Sequence, residues 1–334
     1  MEQETRRPWR RWVVLVLMIA GFVLAGIFIP VRPEITVAPE RLIEKPLFIL
    51  PKPFGPFYLV NTLPTLVATW IILGIIAYFT NRSLKKSAQT DLVPRGIGNV
   101  METLLEVLYN LTESSASSKY ARMIFPWFAT IMIYVLLANL LKLIPGFESI
   151  GVIHPAHGEG YLTKELGTFL GFRWDLLTPD KVEEGGSILA PFFRGVSVDL
   201  NFTFALAIIS VFMIQVIGFR AQRFGYFSKF FNTRRMFKVP FFGAMDFIVG
   251  LLELISELAK VISFTFRLFF NMFAGIILVA VAAFLLGKFT IVASMLYLFE
   301  LFVGLIQAFV FGMLTMVFMA QATQGHGEEH TEAH

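Results

Sequence analysis

The 334 residues contain no cysteine, which excludes disulfides, thiol chemistry and cysteine-held metal. Charge is scarce as well: 16% of residues are Asp, Glu, Lys or Arg against 56% hydrophobic, with a mean hydropathy of +0.69. That balance is not one of a soluble domain. Walker loops, GxGxxG and HExxH patterns are missing too, so a nucleotide, if one matters, is bound by another chain. No cofactor is expected.

What replaces charge is apolar length. A hydrocarbon core of ~30 Å takes roughly 20 apolar residues as helix. Residues 12–29, 62–80, 123–141, 200–219 and 268–287 meet that length without a single charge, and 289–323 carries only Glu300. Continuous runs rather than short alternating ones predict helices and not a barrel. The expected fold is therefore an all-α polytopic membrane protein with about six membrane helices. The 37 Phe read mainly as lipid-facing and inter-helix packing residues.

Orientation follows from Lys and Arg beside the spans. Four arginines precede the first span, in "TRRPWRRW", and residues 220–238 hold six basic residues and no acid. Residues 145–198 hold four basic and seven acidic ones. Both termini, with 82–122 and 220–240, are thus expected on the cytoplasmic side. The net charge of +4 suits anionic lipid and not nucleic acid. The first span reads as an uncleaved anchor, being long for a signal peptide.

The pieces between spans differ in character. Residues 1–61 combine the anchor with a Pro-rich stretch, 30–61, expected to be extended on the outside. Residues 62–144 hold membrane helices and "IGNVMETLLEVLYNLTESS" (97–115), whose apolar spacing predicts a helix lying on the membrane surface. Residues 145–198 form a hydrophilic outer loop, and its "HPAHGE" is read as solvated and not as a metal site. Residues 199–323 form the membrane core, and 324–334 a mobile cytoplasmic tail. In that tail His326, His330 and His334 recur every four residues, but the glycines and the lack of apolar groups favour a solvated end.

Residues 245–287 are the informative stretch. A straight helix of that length would be about 65 Å, twice the bilayer core, so it has to tilt, bend or run partly along the membrane plane. At 100° per residue, Glu253, Ser256, Glu257, Lys260, Ser263, Arg267 and Asn271 fall within roughly a 120° arc. Lys260 and the glutamates suit an interface, where long side chains reach head groups. Arg267 is different, with six uncharged residues before it and 20 after it. A central arginine costs ~2.5–3.5 kcal/mol on insertion scales, so it normally faces a carboxylate or a wet cavity. On the last helix Glu300 and Gln307 are seven apart and share a face. Asn139, Asp199 and Asn201 add polar groups at the outer ends, where each alone would serve as a cap or an interhelical bond.

"ELAKVISFTFRLFFNMFAG" followed by "LIQAFVFGMLTMVF" resembles subunit a of F-type ATP synthases, as do "LLANLLKLIP" and "VSVDLNFTFALAI". The resemblance covers about 62–323. It implies a tilted helix and a C-terminal partner helix forming a hairpin along the c-ring, in a bacterial cell membrane, with c-ring subunits, a subunit b peripheral stalk and lipids as partners. By position, Arg267 resembles the essential stator arginine, with Asn271 one turn on. Glu253, Ser256, Lys260 and Ser263 resemble the polar positions leading to it, and Asn139, Asp199 and Asn201 those of the outer side. Gln307 resembles the glutamine facing the arginine, and Glu300 an ionisable group of the outer half-channel. Two positions depart from the pattern. Ile276 stands where relatives often carry Glu or His, which leaves the acid to Glu300, and Lys142 stands where an aspartate is common.

Two other readings fit a polar stripe. A stand-alone transporter would bind a small anion there, though no internal repeat or paired broken helix is visible. A structural scaffold would use the charges only to set helix packing.

Overall fold

A computed structural model describes residues 36–324 except 44, 50, 53–54, 90–95, 145–147, 149, 156–159, 170–171, 184, 224, 227–239 and 287–289; before residue 36 it describes only Trp12, Val16 and Ile19. Most of the anchor expected at 12–29, most of the basic 220–238 segment, His157 and the histidine tail lie outside these residues.

Six helices are described: α1 (Thr62–Gln89), α2 (Ile97–Ser115), α3 (Ser118–Leu141), α4 (Leu200–Gln222), α5 (Pro240–Leu286) and α6 (Thr290–Thr323). Five carry stretches long and apolar enough to cross a membrane: Thr62–Ser87, Ser118–Leu141, Leu200–Gln222, Phe247–Ala282 and Met295–Thr323. The predicted span at 268–287 proves to be one end of the 47-residue α5, about 70 Å long at 1.5 Å per residue. Glu and Lys interrupt the apolar run but are good helix formers, so the helix passes through them.

The chain divides into two compact units, and α5 and α6 contribute to both. One comprises Thr62–Ile144, Arg194–Met272 and Val303–His334. Its core is built from Leu108 of α2, Ile124, Phe128 and Met132 of α3, Ile214 and Ile217 of α4, Tyr226, and Met316 and Met319 of α6. Helix α2 buries Leu108 and Thr112 and leaves Val100 and Val107 exposed. Helix α3 accommodates Pro126 in its interior.

Helix α6 approaches α3 through a row of small residues one turn apart, Gly304, Ala308 and Gly312. A Cβ on Gly312 would lie 2.8 Å from Met132 Cβ, and one on Gly304 would lie 3.3 Å from Asn139 Cβ. Without a hydrophobic drive in lipid, close backbone approach of this kind supplies the packing.

The other unit comprises Met1–Asn61, Pro145–Phe193 and Phe273–Phe302. The hydrophilic segment predicted as a loop folds here as a four-stranded antiparallel sheet of β3 (Gly151–Pro155), β4 (Gly160–Phe169), β5 (Phe172–Val182) and β6 (Ser187–Pro191), in the order β3-β6-β4-β5. Strands β3 and β6 pair from Gly151↔Pro191 to Pro155↔Ser187, while β4 meets β6 only at Tyr161↔Ser187. The register of β4 against β5 shifts twice, between Tyr161 and Thr163 and between Glu165 and Gly167. Those shifts break the apolar–polar alternation that would have marked a strand pair in the sequence.

The Pro-rich segment is partly ordered by backbone pairing. Strands β1 (Phe48–Ile49) and β2 (Pro56–Phe57) pair, with Phe48 stacked on Phe57 at 4.7 Å. Leu42 is buried and its N–H donates to Leu59 O, and the Arg41 guanidinium lies 3.8 Å over the Tyr58 ring.

Candidate functional site

In the helical unit the predicted stripe on α5 is present but not uniform. Ser256, Ser263 and Asn271 are exposed, Glu253, Lys260 and Arg267 are half-buried, and Glu257 is buried. Arg267 Nη2 donates to Ser263 Oγ one turn earlier, at 3.3 Å. Asn271 Nδ2 donates to Gln307 Oε1 of α6 at 2.5 Å. These bonds follow from spacing: residues 263, 267 and 271 are four apart on a straight helix, and Gln307 comes one turn beyond the Gly304 contact. Gln307 is 3% exposed, and its Nε2 is buried without a hydrogen-bond partner among the described residues. A buried donor left so costs about 1–3 kcal/mol and calls for a reason.

Further along α5, Lys260 Nζ donates to Glu257 Oε1 at 2.8 Å and lies 4.7 Å from the centre of the Phe318 ring of α6. Glu257, which the resemblance did not include among the site positions, thus neutralises Lys260. Two charges three residues apart on one helix enter the membrane as a compensated pair.

Tyr226 was also missed by sequence reading. It is 3% exposed, packs on Gly218 of α4, where a Cβ would lie 2.4 Å from its ring, and donates to Gln215 Oε1 at 2.6 Å. Burial above all, then the charges of Glu257 and Glu253, hold its phenol well above the usual tyrosine range. Nothing in "FGYFSKFF" distinguishes this aromatic from its neighbours.

At the other end of the unit the polar groups are tied to one another. Asp199 caps α4, accepting from Asn201 N–H at 2.9 Å, and its second oxygen accepts from Thr62 Oγ1 of α1 at 2.8 Å. Asn139 of α3, 1% exposed, accepts from Ser197 Oγ at 2.7 Å and donates to Gly304 O of α6 at 3.2 Å. The predicted group of Asn139, Asp199 and Asn201 is therefore brought to one end, with Asn201 exposed. Thr62 and Ser197 join it, and neither had a signal beyond its neighbourhood. Lys142, the C-cap of α3, is 7% exposed; its Cδ would lie 3.2 Å from a Cβ on Gly195.

In the second unit Glu300 of α6 is 6% exposed and sits over Gly275 of α5, where a Cβ would lie 3.1 Å from its Oε1. Any larger residue at 275 would press on that carboxylate. The acid carried by α6 thus reaches the surface of α5 beside the position of Ile276 in the chain.

A profile of the family described as ATP synthase A chain matches residues 64–320. The protein named ATP synthase subunit a from Desulforamulus reducens is 27% identical over 275 residues, covering 80% of this chain and 81% of its own length. Its namesake from Helicobacter pylori strain P12 is 26% identical over 259 residues, 77% of this chain and 89% of the relative. That from Pseudoalteromonas atlantica is 27% identical over 261 residues, 77% and 86% respectively. The matched segment takes in α5 with its arginine, the α6 contact through Gly304 and Gly312, and the capped start of α4, and this chain belongs to the ATP synthase A chain family.

Proposed function

We propose that this chain is the proton-translocating stator subunit of an F-type ATP synthase, working against a ring of c subunits and held by a subunit b stalk in a bacterial membrane. The relatives' shared name supports the complex, and the apolar helices support a multi-pass membrane protein. The observation that carries the mechanism is Arg267, a half-buried guanidinium midway along an apolar helix with Ser263 and Asn271 one turn to either side. The cytoplasmic placement of both termini rests on the basic residues of the sequence.

Each c helix would bring one carboxylate past α5. A proton entering from outside passes Glu300 and neutralises a carboxylate, which can then turn into lipid; Asn139, Asp199 and Asn201 are the other groups assigned to the outer side. After most of a rotation that carboxylate meets the cytoplasmic path along Ser263, Lys260, Ser256 and Glu253. Arg267 there lowers its proton affinity and the proton leaves. At 4 Å and an effective dielectric of about 20, the ion pair gains about 4 kcal/mol, enough to hold an anion transiently. Arginine side chains do not release their own proton, so the guanidinium separates the two paths and ions cross only by turning the ring. Asn271 and Gln307, bonded to each other, set the wall beside it.

Arg267→Ala is the test. Coupled ATP synthesis should be lost while the complex still assembles, and full synthesis in that variant would refute the reading. Purification separates it from a stand-alone transporter, since a stator subunit copurifies with a ring of small helical hairpins and a soluble ATPase head.

A further inference from the structure

Helix α1 carries no residue of the proposed path, yet it has an unusual polar face. Thr62, Thr65, Thr69 and Thr80 fall within roughly a 60° arc at 100° per residue, and all four are buried. Buried hydroxyls on the other helices follow one pattern, bonding the carbonyl one turn back: Thr112 to Leu108 O, Ser210 to Leu206 O, Thr265 to Val261 O and Thr315 to Phe311 O. Thr69 does the same with Thr65 O. Thr80 and Thr65 do not: the Oγ1 of each is buried without a hydrogen-bond partner among the described residues, and Thr65 is 0% exposed.

The position of this hydroxyl gives it meaning. One turn before it, Thr62 donates to Asp199 Oδ2, and α1 packs against both α3 and the short helical turn Val196–Val198 that presents Ser197 to Asn139. Beyond Thr69 the same side of the helix continues with Ile76 inside that arc and Leu73 about 20° past its edge, so the polar face is interrupted before Thr80. Ordered water is the usual partner of a buried hydroxyl with open hydrogen-bonding capacity, and Thr65 lies one turn from the threonine bonded to Asp199.

We propose that the outer end of α1 is a wall of the proton entry path, with Thr65 holding water that continues the Thr62–Asp199 hydrogen bond, and with Leu73 and Ile76 closing it. Thr65 is then a positioning residue for entering protons. The inference rests on the outer-path reading given above and adds α1 to it.

The absence of cysteine from the chain makes the test clean. Membranes carrying the complete complex, with Thr65→Cys or Asn201→Cys, are treated with silver ion, and the loss of ATP-driven proton pumping is compared with that of the parent complex treated alike. Both variants should lose at least about fivefold on treatment. Loss at Asn201→Cys but none at Thr65→Cys overturns the inference and leaves the outer path standing. No loss at either overturns both. Thr65→Val and Thr65→Ser supply the second measurement. If Thr65 packs in a dry interior, removing its unsatisfied hydroxyl leaves pumping unchanged and thermal stability equal or higher, which overturns the proposal. If it holds entry water, Thr65→Val slows synthesis severalfold, most at high outer pH where protons are scarce, and Thr65→Ser restores it.

Discussion

The two polar ends of the helical unit are built on opposite plans. At the Asp199 end, one carboxylate oxygen is matched to Asn201 N–H and the other to Thr62, and both ends of the Asn139 amide are matched to Ser197 and Gly304. Along α5, by contrast, Arg267 reaches a neighbouring hydroxyl at 3.3 Å, Asn271 stays exposed, and Gln307 keeps a buried donor unused among the described residues. A satisfied network holds one geometry, whereas a group with capacity to spare can answer a visitor. The first end therefore ties α1, α3, α4 and α6 together. The second keeps hydrogen-bonding capacity in reserve, which the proposed visit of a c-ring carboxylate would use.

The sharpest way to break this contrast is to change the arginine and keep its charge. Arg267→Lys should lower coupled synthesis by about a hundredfold or more, because a point charge replaces a planar fork whose geometry is shared with Ser263. Synthesis near the parent rate would mean that α5 needs only a cation. Gly312→Leu should come next. A side chain grown into Met132, 2.8 Å away at its first carbon, separates α6 from α3, so immunoblots of membranes should show little assembled subunit.

Asp199→Ala and Asp199→Asn then weigh support against transport at the Asp199 end. The alanine loses the cap of α4, worth about 1 kcal/mol, together with the partner of Thr62, and should lower the thermal stability of the purified complex. The asparagine keeps an acceptor for either bond. If it also keeps proton pumping, Asp199 acts as a strut. Glu300→Gln should slow ATP-driven pumping about tenfold without loss of assembly, since the amide fits over Gly275 but exchanges no proton.

Tyr226→Phe should show the smallest effect, the loss of one hydrogen bond to Gln215, about 1 kcal/mol by thermal denaturation. Because the phenol is held above its ordinary 10.0, folded and unfolded chains both keep it protonated at lower pH. Its contribution is thus complete below pH 10 and declines only as pH rises beyond that. The difference between variant and parent should stay constant from pH 6 to 9.

Much of this was legible in sequence order, for a physical reason that differs from element to element. Apolar length alone marks α1, α3, α4 and α6, because a bilayer core admits few other structures. The periodicity of 97–115 marks α2, and the arc from Glu253 to Asn271 marks the polar face of α5, because both depend only on 3.6 residues per turn. Arg267 was conspicuous because a charge among so many uncharged residues needs a cause. The sheet of residues 151–191 was hidden: register shifts blur the alternation of the β4–β5 hairpin, and β3 pairs with β6 across that hairpin, beyond the reach of a local pattern.

Which polar groups meet was also beyond local reading. Thr62 finds Asp199 across 137 residues, Asn139 finds Gly304 across 165, and Glu300 lies over Gly275 on a neighbouring helix. Helical periodicity says which residues share a face, but not which face another helix will cover. The burial of Thr65 and the pairing of Glu257 with Lys260 were decided only when the helices packed, because solvation and hydrogen-bond satisfaction belong to the assembled surface and not to the order of residues.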